Sequence, residues 1–341
     1  MKLITTSILF ILLFLHGNAK IWRVNNNPGI IADFTTLQAA HNGALSGDTI
    51  HLEPSPITYG ALNANKKLII IGPGHSLSTN NNLQYTSVTS KTDEIIFEIG
   101  SENSVLTGVT TTSFDIFIKT SNISIIRNRL SGIYLAPSST VSSGPYSISA
   151  TYIRENWVSV ILEYNPTNIA FNIAGTSISA NIINTISLTT PAIITSNYIG
   201  SLTCKNSTVV NNIIKLNNTN CSNDACNLFQ VTFNNTINNN VFTDVANPGN
   251  QGNYQNGQNN IFNPGLVNVI VGTANNSESD YQLLTNSVAV GAGTGGINVG
   301  PFGGGYTLSG IPSVPTIYNL QVEPTGSSSN GLNVTVKSRT N

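Results

Sequence analysis

Charged side chains are scarce in this sequence. Asp, Glu, Lys and Arg make up 9% of its 341 residues, against about 25% in an ordinary soluble domain. The 14 basic and 15 acidic residues nearly cancel, for a net charge of -1. Such a balance excludes electrostatic binding of nucleic acid, which needs clustered Lys and Arg against phosphate. Histidine is rarer still, with His41, His51 and His75 the only ones after residue 20. A zinc site is not expected, because these lie more than a hundred residues before the first cysteine and four ligands are needed. No metal or other cofactor is predicted. What the chain has instead is 40% apolar residues, 29 Gly and roughly one Asn in every seven positions, enough apolar surface to offset the entropy of ordering the chain.

Residues 1–19 read as a secretory signal peptide. Lys2 supplies the positive start, Ile8 to Leu15 form a short apolar run, and Gly17 and Ala19 are small residues suited to cleavage. No later segment approaches the roughly 20 apolar residues of a membrane-spanning helix, so an exported, secreted or surface-held protein is expected. Export would place Cys204, Cys221 and Cys226 in an oxidising compartment. Cys221 and Cys226 are close enough to close a small loop, although sequence leaves Cys204 open as a partner.

Internal repetition is the strongest signal. An apolar residue, two free positions, an Asn, one free position and a second apolar residue recur as Ile125/Asn128/Leu130, Ile153/Asn156/Val158, Ile178/Asn181/Ile183, Ile194/Asn197/Ile199, Val209/Asn212/Ile214 and Ile237/Asn240/Phe242. A weaker seventh copy has Gly257, Asn260 and Phe262. The intervals between asparagines vary from 15 to 28 residues, as expected for coils of one solenoid carrying inserted loops. The runs are short and β-branched, which suits strands of a few residues. Each Asn is expected to take the left-handed bend and to bond the Asn one coil away. The long inserts, Ala136–Pro145, Asn165–Asn168 and Asn217–Asn227, share one phase and should protrude on one side.

With this kernel the chain resembles the right-handed, single-stranded parallel β-helix family of pectin-lyase-like solenoids. Asp33-Phe-Thr-Thr-Leu-Gln-Ala-Ala with Ser46-Gly-Asp-Thr-Ile, and Lys67 to Gly74, are similar to the opening of secreted bacterial members. Tyr281-Gln-Leu-Leu to Gly304 is similar to their closing coil. The resemblance implies an all-β solenoid over residues 20–305. Thr35-Thr36-Leu37-Gln38 reads as a capping box, and Phe34, Leu37, His41 and Leu45 share one face, so a short amphipathic helix should cover the first coil. Residues 306–341, rich in Pro, Gly and Ser, hold two alternating segments, Ile317–Val322 and Leu332–Val336. These either add to the solenoid or present an edge to a protein partner.

The family hosts lyases, hydrolases, esterases, adhesins and scaffolds. The aspartates are scattered and no His follows His75, which removes the two-carboxylate hydrolase chemistry. The blocks expected of the esterase branch are missing, and no acidic cluster suits calcium. Aligning the first two kernels sets Arg127 beside Glu155 and Arg129 beside Trp157, with Arg154, Tyr152, Glu163 and Tyr164 nearby. Arginine can grip a carboxylate and the aromatics can face sugar rings. The bland alternative is an ion pair and a cation–π contact on the surface. The expected function is a non-catalytic polysaccharide-binding or structural module, acting as a monomer. A calcium-independent polysaccharide lyase using Arg127, Arg129 and Arg154, and a scaffold docking a surface protein through residues 306–341, are the alternatives.

Overall fold

The computed structural model describes residues 19–340, except 81, 112, 137–145, 166–170, 216–232, 247–256, 273–275, 328 and 330. Most of the expected signal peptide, Cys221, Cys226 and nearly all of the three long inserts lie outside the described residues.

From Thr49 to Phe242 short strands alternate along the chain between two ten-stranded sheets, both entirely parallel, interrupted by a two-stranded parallel pair, Tyr146–Ser149 with Phe171–Ala174. The first sheet stacks Ile21–Val24, Thr49–Leu52, Ile69–Ile71, Val105–Thr107, Ser124–Ile126, Tyr152–Arg154, Thr176–Ser179, Ala192–Thr195, Thr208–Val210 and Thr236–Asn238. The second stacks Leu62–Ala64, Ile95–Phe97, Asp115–Ile118, Arg129–Leu135, Trp157–Glu163, Ile182–Ser187, Tyr198–Thr203, Ile213–Ile214, Val241–Phe242 and Ile261–Phe262. An all-β parallel solenoid is compatible with this order. No helix of the described residues is long and apolar enough to cross a membrane.

Register explains the repeat. Ile125, Ile153, Ile178, Ile194, Val209 and Ile237 are successive neighbours in the first sheet. Leu130, Val158, Ile183, Ile199, Ile214, Phe242 and Phe262 are successive neighbours in the second. Both columns point inward and form the main core, extended toward the N-terminus by Ile50, Ile70 and Leu106.

Between the columns the asparagines form a ladder. The backbone N–H of Asn128 donates to Asn156 Oδ1 (2.9 Å), Asn156 to Asn181 (2.8 Å), Asn181 to Asn197 (2.8 Å), Asn197 to Asn212 (2.8 Å), Asn212 to Asn240 (2.9 Å) and Asn240 to Asn260 (3.0 Å). Each of these donors also points its Nδ2 at the same acceptor. The left-handed residue is not the ladder asparagine, as the sequence reading had it, but the one before: Arg127, Glu155, Ala180, Ser196, Asn211, Asn239 and Asn259 have φ between 54° and 60°. Taking the bend one residue earlier turns the Asn amide inward, where it bridges coils and satisfies buried backbone groups.

The N-terminal helix is Leu37–Gly43, with Leu37, Ala40 and His41 buried. Thr36 is its cap, accepting from Ala39 N, so the predicted box is displaced by one residue. Gln38 Oε1 instead accepts from Asn63 N at 2.8 Å, stitching the helix to the neighbouring strand. Leu45, expected on the buried face, is exposed because it lies past the helix end.

A second apolar core lies outside the solenoid. In the second sheet Ile182, Tyr198, Ile213 and Val241 point away from the interior, yet all are buried. Leu266, Val269, Ile270, Tyr281, Ala289, Val299 and Tyr306 pack over them. Residues 281–304, read as a closing coil by resemblance, instead run lengthwise back along the bend column. Asn239 Nδ2 donates to Ala292 O (3.3 Å), Gly300 N to Asn211 O (2.8 Å), Thr307 Oγ1 to Glu155 (2.6 Å) and Arg127 Nη1 to Ile311 O (2.9 Å). Contacts fall to lower numbers as the chain advances. Gly304 permits the close approach, since a β-carbon there would lie 2.6 Å from Ser196 Cβ. The physical reason for this route is the apolar outer column, which water would otherwise wet.

Beyond this cover, Thr316–Val322 and Val334–Arg339 pair as an antiparallel hairpin. Tyr85 N donates to Ile317 O (2.9 Å) and Arg339 Nη2 to Leu83 O (3.0 Å), fastening the hairpin to residues 83–85.

Candidate functional site

The proposed arginine neighbourhood divides into three places. At the bend between the sheets, Arg127 Nε donates to Glu155 Oε2 at 2.8 Å and Arg154 Nε to Glu155 Oε1 at 2.8 Å. Glu155 is buried and also accepts from Thr307 Oγ1, while Arg127 Nη1 reaches Ile311 O and Ser313 Oγ. These contacts make the pair a fastening point for the cover. Arg154 and Tyr152 are exposed on the outer face of the first sheet, around the corner from Arg129 and Trp157.

Glu163 and Tyr164 are not brought to the arginines. They lie at the far end of the strand that begins at Trp157, on the order of 20 Å away at strand rise. Glu163 accepts from Thr190 N (2.9 Å) and from the hydroxyls of Thr189 and Thr190. The Tyr164 ring meets Phe117 and Tyr134 at centroid distances of 6.3 and 5.9 Å.

Arg129 occupies the third place. It is the register neighbour of Trp157, and its guanidinium carbon lies 4.3 Å from the indole centroid. Arg129 also pairs with Thr110, and Thr110 with Lys91. One outward column therefore runs Lys91, Thr110, Arg129, Trp157, Ile182, Tyr198 and Ile213 across successive coils. Its apolar part is under the cover, and its Lys91–Arg129 part is open.

That open part floors a groove of about 360 Å³. Ser76, Leu77 and Ser78 line one wall, and Ser87, Val88 and Thr89 another. No carboxylate is among the described residues that line it. At about 4.8 Å per coil, Lys91 and Arg129 stand roughly 10 Å apart. Two cations among hydroxyl groups suit an oxygen-rich anionic ligand that extends along the solenoid. Sequence reading missed Lys91 because no Asn kernel marks its coil; Val109 fills the ladder position one coil below and ends the ladder by donating its N–H to Asn128 Oδ1 (3.0 Å).

Beneath the groove wall lies a buried polar cluster. Glu278 accepts from Tyr306 OH (2.6 Å), Asn80 Nδ2 (2.7 Å) and Ser309 N (3.0 Å). His75 Nδ1 is 3.8 Å from Glu278, and both side chains are fully buried. Burial, with Arg129 nearby, pushes the His75 pKa down to about 3, so the ring is neutral. Burial raises Glu278, opposed by its hydrogen bonds. Tyr306 is raised well above its ordinary value by burial and by Glu278. The cluster ties His75 and Asn80, early in the chain, to the C-terminal cover.

Cys204 is a buried free thiol, its pKa pushed up to about 12 by burial. Among the described residues no group of three His, Cys, Asp or Glu side chains is arranged to hold a metal.

Comparison with known proteins returned nothing: no family model, curated sequence or solved structure gives a significant match.

Proposed function

We propose that this chain is an exported right-handed parallel β-helix that binds an acidic polysaccharide without cleaving it, in the groove floored by Lys91, Thr110 and Arg129. The handedness rests on the rule that parallel crossovers within one sheet are right-handed in the great majority of cases. The observation that carries the function is the abrupt end of the cover: the same outward column is apolar and sealed from Trp157 onward, cationic and open at Arg129 and Lys91. A polymer bearing carboxylates at coil-like intervals matches a groove whose described lining carries two cations and no carboxylate.

The lyase reading has less support. Its proton-abstracting arginine must face the substrate, yet of the three arginines Arg127 is engaged with Glu155, Ile311 and Ser313 and Arg154 is bound to Glu155 on the far side of the bend, which leaves Arg129 alone in the groove. In the scaffold reading the two segments pair with each other and are fastened to residues 83–85, so Val334–Arg339 is the exposed strand that would meet a partner.

Titration calorimetry with polygalacturonate tests the proposal, with Trp157 fluorescence as a local reporter. Binding should weaken with salt, and Lys91→Ala with Arg129→Ala should abolish it in protein that still unfolds in a cooperative transition. Ultraviolet absorbance of unsaturated uronate should stay flat. Binding that survives the double substitution would refute the groove, and growing absorbance would restore the lyase.

A further inference from the structure

The outer face of the second sheet carries another unassigned feature at its opposite edge. Phe117 and Tyr134 are register neighbours on adjacent coils, with rings stacked at 5.2 Å and an interplanar angle of 21°. Tyr164, 47% exposed, stands edge-on to both and makes a wall against this floor. Among the described residues the apolar cluster of the C-terminal cover stops at Trp157 and does not include this face.

Asp115 borders the platform. A β-carbon built on Gly132 would lie 2.6 Å from Asp115 Oδ1 and 2.8 Å from Tyr134 Cε2, so the missing side chain lets carboxylate and ring close over the same backbone. Asp115 is half-buried, and no other described residue forms a hydrogen bond or ion pair with its carboxylate. Burial pushes its pKa up, and the carboxylate in turn helps raise Tyr134. A half-dehydrated acceptor without a donor gains from a ligand hydroxyl.

The geometry points to a second ligand site, a stacking platform of Phe117, Tyr134 and Tyr164 with Asp115 as hydrogen-bond acceptor, that takes a neutral pyranose. Phe117 and Tyr134 turn their ring faces to each other, so the exposed Tyr164 ring they support supplies the surface for the apolar face of a sugar, and the carboxylate accepts from its hydroxyls. Asp115 repels a uronate, so this site and the Lys91–Arg129 groove select opposite chemistries. The inference stands independently of the groove.

Neutral hexasaccharides of β-linked glucose, α-linked glucose and mannose, each titrated into the full chain, provide the test. At least one should bind. Tyr164→Ala and Asp115→Asn should each weaken it about tenfold, the size of one aromatic or charged hydrogen-bond contact, while polygalacturonate binding is unchanged. Lys91→Ala with Arg129→Ala should do the reverse. Absence of binding by all three hexasaccharides, or binding indifferent to both Tyr164→Ala and Asp115→Asn, overturns the platform whatever polygalacturonate does.

Discussion

Two apolar cores lie back to back across the second sheet, and they are held by different means. The inner one repeats: from Asn128 to Asn260 each coil adds an apolar residue from the second sheet and one ladder asparagine, so most contacts there have a copy one coil away. The outer one is assembled once, from 3-10 turns and glycine-rich backbone that join no ladder, and its polar anchors are unique. A repeating layer shares stress among coils. A layer built once depends on its anchors, and where it stops it exposes whatever the repeat leaves behind, here Lys91 and Arg129.

The largest effect should come from interrupting the inner layer. Asn181→Ala removes the acceptor of Asn156 N and the donor to Ile153 O and Ser179 O, all inside the molecule. Stranding these groups should cost about 4 kcal/mol, read as a lower urea midpoint, with the inner and outer layers lost together. Equal loss from an exposed substitution such as Arg154→Ala would erase the distinction.

Tyr281→Ala strikes the outer layer. The ring packs at 4.6 Å from Tyr198 and 6.2 Å from Trp157. Its removal should cost about 3 kcal/mol and raise Trp157 fluorescence sensitivity to quenchers before the solenoid melts. A single transition for both probes would show that the layers are one cooperative unit.

Acid separates them more gently. His75 folds with a pKa near 3 against an ordinary 6.5, so its contribution is present above 6.5 and is lost as pH falls toward 3. Glu278, raised above 4.5, has the opposite sign and weakens the fold as pH rises through that value. Arg129 and Glu155 are the other charges that face the cluster. Just above pH 4.5 the two oppose each other; below 4.5 His75 is the one of the pair that goes on losing stability, for about 2 kcal/mol, while Asp48, Glu53 and Glu102, held below their ordinary values, lose theirs with or without it. Melting temperatures of His75→Gln should fall less steeply below pH 4.5 than those of the unaltered chain. Parallel curves would remove His75 from the account.

The contrast also explains what was legible in the sequence. The inner layer repeats, so Ile153/Asn156/Val158 and its copies could be aligned without a structure, and the pairing of Arg127 with Glu155 and of Arg129 with Trp157 followed from that alignment. Coils whose bend lacks Asn, such as the one carrying Val109, gave no kernel, and Lys91 went with them. The outer layer was signalled more quietly. Ile182-Ile183, Tyr198-Ile199, Ile213-Ile214 and Val241-Phe242 place apolar residues on both faces of a strand, the mark of a sheet covered on both sides. Which segment supplies the cover cannot be read from a pattern that occurs once. The same holds for Tyr164, whose stacking with Phe117 and Tyr134 depends on register at the far end of the strand.

Native-state hydrogen exchange tests the two-layer description most directly. The ladder amides of Asn156, Asn181 and Asn197 should exchange only with global unfolding. Those of Val299, Gly300 and Tyr306, bonded within the cover or to the bend column, should exchange together at a distinctly lower free energy. Cover amides as slow as the ladder, with the same denaturant dependence, would contradict a separately anchored outer layer.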